Sequence, residues 1–124
     1  MASSVTTQFN AYNYQTFGCV ATTSPEPVFV PDSNTRYLVK SLRGVNNGGA
    51  GVELTVQFYS GVDDAVYRVC SAKTFGTDED RELLMNHPIV ISGDLGDELR
   101  VFADAGATFH ITATVMMRGR ETGL

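Results

Sequence analysis

The chain has 124 residues, 43% hydrophobic and 19% charged, with nine Lys and Arg against fourteen Asp and Glu for a net charge of −5. One domain of this length buries roughly two-thirds of its unfolded surface in a single core, and its acidic balance, with Lys40 and Lys73 as the only lysines, argues against a nucleic-acid partner. No apolar stretch approaches the roughly 20 residues that cross a bilayer, and no basic segment precedes an apolar run, so neither membrane insertion nor a secretory signal is expected.

Residues 1–25 carry no charged side chain, and Glu26 is the first. The stretch is rich in Ser, Thr, Asn and Gln and bears the aromatics Phe9, Tyr12, Tyr14 and Phe17. Disordered tails have the opposite composition, with many charges and few aromatics. The segment is therefore expected to dock. The readings are a first strand on its own domain, an extended N-terminal arm ordering on a neighbouring subunit, with Phe9, Tyr12, Tyr14 and Phe17 as contact residues, and, last, plain disorder. The domain boundaries expected are 1–25 for the arm and 26–124 for the folded domain.

From Pro25 onward the pattern is all-β. Prolines 25, 27 and 31 bracket Val28-Phe29-Val30 and confine it to an edge or a strand boundary. Arg36–Val45 reads as a strand, but its two phases are both mixed in polarity. Asn46-Asn47-Gly48-Gly49-Ala50-Gly51 is turn chemistry, because Asn and Gly tolerate positive φ. Val52, Leu54, Val56 and Phe58 then alternate with polar residues, and Ala65–Ala72 is the return strand of a hairpin. Thr74–Asp80 is a polar connection, and Arg81–Met85 is either one helical turn or a short strand.

Pro88–Ile91 is a short apolar strand, followed by a tight turn at Gly93–Asp97. Leu99, Val101 and Ala103 alternate with Arg100, Phe102 and Asp104. The last strand is the clearest, with Phe109, Ile111, Ala113, Val115 and Met117 in one phase and a Thr-rich opposite face. Turns recurring every 8 to 15 residues predict an all-β antiparallel sandwich, jelly-roll-like, with Leu99, Val101, Phe109, Ile111, Ala113 and Val115 buried.

No catalytic constellation of nucleophile, base and orienting group is apparent, so the chain is not expected to be an enzyme. His87 before Pro88 and His110 on the outward phase of the last strand read as surface residues. Cys19 and Cys70 could pair only if the arm folds back on the hairpin; reduced, buried thiols are the other reading. Two cysteines and two histidines are too few for a multi-ligand zinc site. Asp78, Glu79, Asp80 and Glu82 lack calcium-loop spacing and read as a solvated loop. Gly48-Gly49-Ala50-Gly51 lacks the strand-to-helix setting of a phosphate cradle. Arg118 and Arg120 could pair with acids on a neighbour. No cofactor and no metal is expected. A carbohydrate-binding module would use exposed aromatics gathered on one face, with Tyr59, Tyr67 and Phe102 as candidates.

The segment Tyr37-Leu38-Val39-Lys40-Ser41-Leu42-Arg43-Gly44-Val45-Asn46-Asn47 resembles the strand and Asn-rich turn of small structural proteins of tailed-bacteriophage virions. Pro88-Ile89-Val90-Ile91, Gly96-Asp97-Glu98-Leu99-Arg100-Val101 and Phe109–Met117 resemble later motifs of that group. The resemblance spans residues 26–118, leaving out the arm and the tail from Gly119 to Leu124. It implies a non-enzymatic β-sandwich, most simply a capsid decoration (cement) protein, otherwise a tail or neck component. The partners implied are the major capsid protein or other virion proteins and further copies of the chain, with no nucleic acid and no membrane. The location implied is the virion, assembled in the host bacterial cytoplasm.

Overall fold

The computed structural model describes residues 12–104 and 108–119. Its strands are β1 (Tyr12–Ala21), β2 (Glu26–Pro27), β3 (Thr35–Asn46), β4 (Val52–Ser60), β5 (Ala65–Phe75), β6 (Asp80–Glu82), β7 (Ile89–Ser92), β8 (Glu98–Ala103) and β9 (Phe109–Gly119), with one 3-10 turn at Gly93–Leu95.

Two antiparallel sheets face each other. One has the order β1-β9-β3-β6, with β7 also on β3; the other has the order β2-β8-β4-β5. β6 pairs with β3 at residues 43–45 and β7 pairs with it at residues 36–39, on the edge not taken by β9. β6 and β7 are thus one strand interrupted at residues 83–88. Counted so, eight strands change sheet at every step except the β4–β5 hairpin, as in a double Greek key, and the sandwich is a jelly roll.

The alternating strands set the core. Leu99 and Val101 of β8 and Phe109, Ile111, Ala113 and Val115 of β9 are all buried, as their period-2 pattern predicts. The mixed phase of β3 has a local cause: the register against β9 slips between Val39 and Ser41. Tyr37 and Val39 point inward before this bulge, and Leu42 points inward after it. One extra residue swaps the faces of everything downstream.

The stretch read as an arm is, from Tyr12 to Ala21, a strand of the sandwich itself. β1 pairs with β9 over its whole length, from Tyr12 opposite Arg118 to Ala21 opposite Phe109. Its inward side chains explain the docking. Phe17 stacks on Phe29 at 4.7 Å between ring centroids, and Phe29 sits 4.9 Å from Tyr37. Residues 12–21 are thus a strand on their own domain, the first of the readings above, and the segments on either side of the expected 25/26 boundary share one sandwich. Phe9 lies outside the described residues.

Buried polar groups tie the corners together. Asn46, fully buried, donates through Nδ2 to the carbonyls of Gly49 and Gly76 and accepts from the Gly48 N–H through Oδ1, each at 2.9 Å. Asp97 accepts from the N–H groups of Gly61 and Ser92, both at 3.1 Å. Gly61 must be glycine, since a Cβ there would lie 1.9 Å from the Leu95 carbonyl oxygen.

Candidate assembly surfaces

Three surfaces stand out: the free edge of β1, an apolar row on the outer face of the first sheet, and a groove where the sandwich opens.

β1 is an edge strand of ten residues, paired only with β9 among the described residues. Natural edges are usually blunted by charge, proline or shortness. β1 has none of these: Tyr-Asn-Tyr-Gln-Thr-Phe-Gly-Cys-Val-Ala holds no charged residue and no proline. Among the described residues no strand covers its outer backbone edge.

The apolar row crosses the same sheet. Tyr14 of β1 lies opposite Met116 of β9, Met116 opposite Leu38 of β3, and Leu38 opposite Val90 of β7. Tyr14 is 67% and Val90 57% exposed, while Met116 and Leu38 are half-buried. Four strands in register make a row about 14 Å from first to last strand. Lys40 borders it, its ammonium 5.7 Å from the Tyr14 ring centre. The next outward positions are Thr16 and Thr114, small residues that leave the face flat.

The groove lies at the opposite edge, between β5 of one sheet and the β6–β7 interruption of the other. It measures about 850 Å³ and is lined chiefly by Val69, Cys70, Leu83, Leu84, Met85 and Ile89, with Arg81, Glu82 and His87 at its sides. Glu82 holds this wall to β3. Its carboxylate accepts from the Ser41 hydroxyl at 2.7 Å and from the N–H groups of Leu42 and Leu84 at 3.1 and 3.0 Å. Arg81 is engaged by Glu79 and lies 5.0 Å over the Phe75 ring. Met85 and Asn86 follow each other in the left-handed region, with φ of 53° and 67°, and Met85 is left 69% exposed at the mouth.

The structure disperses the sequence candidates. Tyr14 is exposed on the outer face and Phe17 packs inward against the core, so the two do not share a face. Tyr12 opens β1 opposite Arg118. Cys19 on β1 and Cys70 on β5 sit at opposite edges of the sandwich and form no disulfide. Burial pushes the Cys19 thiol up, with Glu26 adding to the effect, so it is no activated nucleophile.

The acidic residues 78–82 turn to separate partners. Glu79 accepts from the Gly76 N–H at 2.7 Å, Asp80 meets Arg43 at 3.8 Å, and Glu82 serves the groove wall. No group of three metal-ligating side chains occurs among the described residues. Neither histidine is buried: His87 is at the groove, and His110 is on the outer face opposite Val20 and Val45. Arg118 is exposed on β9, and Arg120 lies outside the described residues.

The three candidate sugar-stacking aromatics do not gather. Tyr59 and Phe102 occupy outward positions of the second sheet, while Tyr67 lies opposite inward-facing Phe58 at its edge. Tyr59 is covered by the Arg100 guanidinium, 4.2 Å from the ring centre. Both phenols are raised above their usual pKa, chiefly because Tyr59 donates to Asp64 and Tyr67 to Asp63.

Sequence reasoning missed the groove. Its only signal was the apolar run Leu83-Leu84-Met85 between Glu82 and Asn86, a pattern that also fits a helical turn. The apolar row was hidden as well, because Leu38 and Met116 share their outward phase with Arg36, Lys40, Thr114 and Arg118, and only the sheet order joins them to Tyr14 and Val90.

No protein-family model matches the chain, and no curated protein matches it. Among solved structures it is similar to a Bacillus endospore appendage protein of a disulfide-linked pilus family, at 13% identity and TM-score 0.49, over 89% of this chain and 88% of that one. It is similar to a chain in the structure of infectious bursal disease virus Gx strain, at 12% identity and TM-score 0.48, over 92% of this chain but only 32% of that one. It also resembles the Drosophila NLP core, at 8% identity and TM-score 0.48, over 88% of this chain and all of the other. The chain thus spans about a third of the bursal virus protein it matches.

Proposed function

We propose that this chain is a structural, non-enzymatic subunit of a virion, most simply a capsid decoration (cement) protein. The observation that carries the reading is the ten-residue β1 edge without charge or proline, continuous with the outer-face row Tyr14, Met116, Leu38 and Val90, exposed at its two ends. An edge and a flat apolar face left open on one sheet suit a subunit that works against other protein surfaces. The buried polar side chains Asn46 and Asp97 serve corners and turns. The resemblance of residues 26–118 to small phage virion proteins supports the same reading, and a tail or neck position uses the same surfaces.

The test is co-sedimentation of the purified full chain with shells that lack it. Saturable binding at a fixed ratio to the shell protein is expected, and Val90→Asp should weaken it by about tenfold or more, since it places a charge in the apolar row. Absence of saturable binding to capsid, neck and tail fractions alike would overturn the reading.

A further inference from the structure

We infer that the groove between β5 and the β6–β7 interruption receives residues 5–11 of a second copy of this chain, added as a strand along the free edge of β5. The inference rests on the structural role proposed above and names how copies join.

The receiving side is built for an uncharged strand. β5 runs from Ala65 to Phe75 and pairs only with β4 among the described residues, so its outer backbone edge is open. An extended peptide gains main-chain hydrogen bonds from such an edge and specificity from alternate side chains in a pocket. Val69, Leu83, Leu84 and Ile89 supply the apolar lining. The two charged side chains beside them are already engaged, Arg81 by Glu79 and Glu82 by Ser41, Leu42 and Leu84. A charged occupant would find no counter-charge there.

The donating side fits. Val5-Thr6-Thr7-Gln8-Phe9-Asn10-Ala11 contains no charge, glycine or proline. Val5, Thr7, Phe9 and Ala11 alternate with Thr6, Gln8 and Asn10, the period of a strand with one apolar face. Phe9 is the one side chain large enough to anchor in a groove of this size.

The topology favours a second copy. The segment precedes β1, at the edge of the first sheet opposite β6 and β7. Ala11 is bonded to Tyr12 at that edge, three strand spacings, about 14 Å, from the groove of its own copy. To enter that groove it would have to reverse and cross the four-strand sheet. Donor edge and acceptor groove on opposite sides give a head-to-tail contact, which repeats into a ring or a filament.

Cross-linking tests this in the full chain. With Cys19→Ser and Thr7→Cys, the new thiol faces the groove in phase with Phe9, close to Cys70. Oxidation with diamide should give a ladder of multimers on a non-reducing gel, and Cys70→Ser should abolish it. A cross-linked monomer would show that the segment fills its own groove, and no cross-link would show that it does not reach the groove; either overturns the inference. Independently, Phe9→Asp should weaken self-association in sedimentation velocity by about tenfold or more, and an unchanged association constant would overturn it. If Phe9→Asp protein still occupies particles at full ratio, the structural role stands and the groove assignment fails.

Discussion

Replacing Phe17 by Ala tests whether β1 belongs to the sandwich. The ring is half-buried, stacks on Phe29 at 4.7 Å and meets Tyr37 edge-on at 6.5 Å. A phenylalanine side chain at full burial removes about 200 Å² from water, so half burial is worth about 2.5 kcal/mol at 25 cal/mol/Å². The aromatic pair adds about 0.5–1.5 kcal/mol, and partial collapse around the vacancy returns some of it. The net loss is about 2–3 kcal/mol. For 124 residues, an unfolding entropy of about 2.1 cal/mol/K per residue converts this to a fall of about 8–12 °C in Tm. Differential scanning calorimetry measures it, and Phe29→Ala with the double variant measures the coupling. A Tm within about 2 °C of the parent would mean that β1 is not held by the core, and residues 12–21 would be an arm docked elsewhere.

Asp97→Ala leaves the Gly61 and Ser92 N–H groups without their acceptor, and urea unfolding should show a loss of about 2–5 kcal/mol. Gly93→Ala should cost about 1–3 kcal/mol or more, since its Cβ would lie 1.8 Å from the Asp32 carbonyl oxygen, whereas Gly49→Ala, with nothing within 4 Å, should be nearly silent. The Glu79 carboxyl is held below its usual pKa, first by the Gly76 N–H and then by Arg81. Its stabilising contribution is therefore present above the ordinary glutamate pKa and is lost as pH falls through the depressed value. A carboxyl NMR titration should show this midpoint below that of an ordinary glutamate, rising in Arg81→Gln; an ordinary midpoint contradicts the contact.

The strands legible in the sequence are those with one face in the core and no slip in register. β8 and β9 are of this kind, and their inward residues follow directly from alternation. β3 resisted because the bulge after Val39 exchanges its faces midway. β1 resisted because an edge strand buries less: among its described side chains only Phe17, Cys19 and Ala21 turn inward, and Gln15 in the same phase is exposed. The candidate surfaces were harder still. The row Tyr14–Met116–Leu38–Val90 joins four separate strands, and the groove joins β5 to the wall after β6; only the sheet order brings either together. Asn46 was legible as a turn residue, but its bond to Gly76 depends on the neighbouring loop.

The most direct measurement of the central claim is a reconstruction by electron microscopy of whole particles that carry this chain. A structural subunit predicts repeated jelly-roll density at a fixed ratio to the shell protein, with the outer face of the β1-β9-β3-β7 sheet, at Tyr14, Leu38, Val90 and Met116, against a neighbouring protein. Particles with no such density, or copies whose β1 edge and apolar row both face solvent, would contradict it.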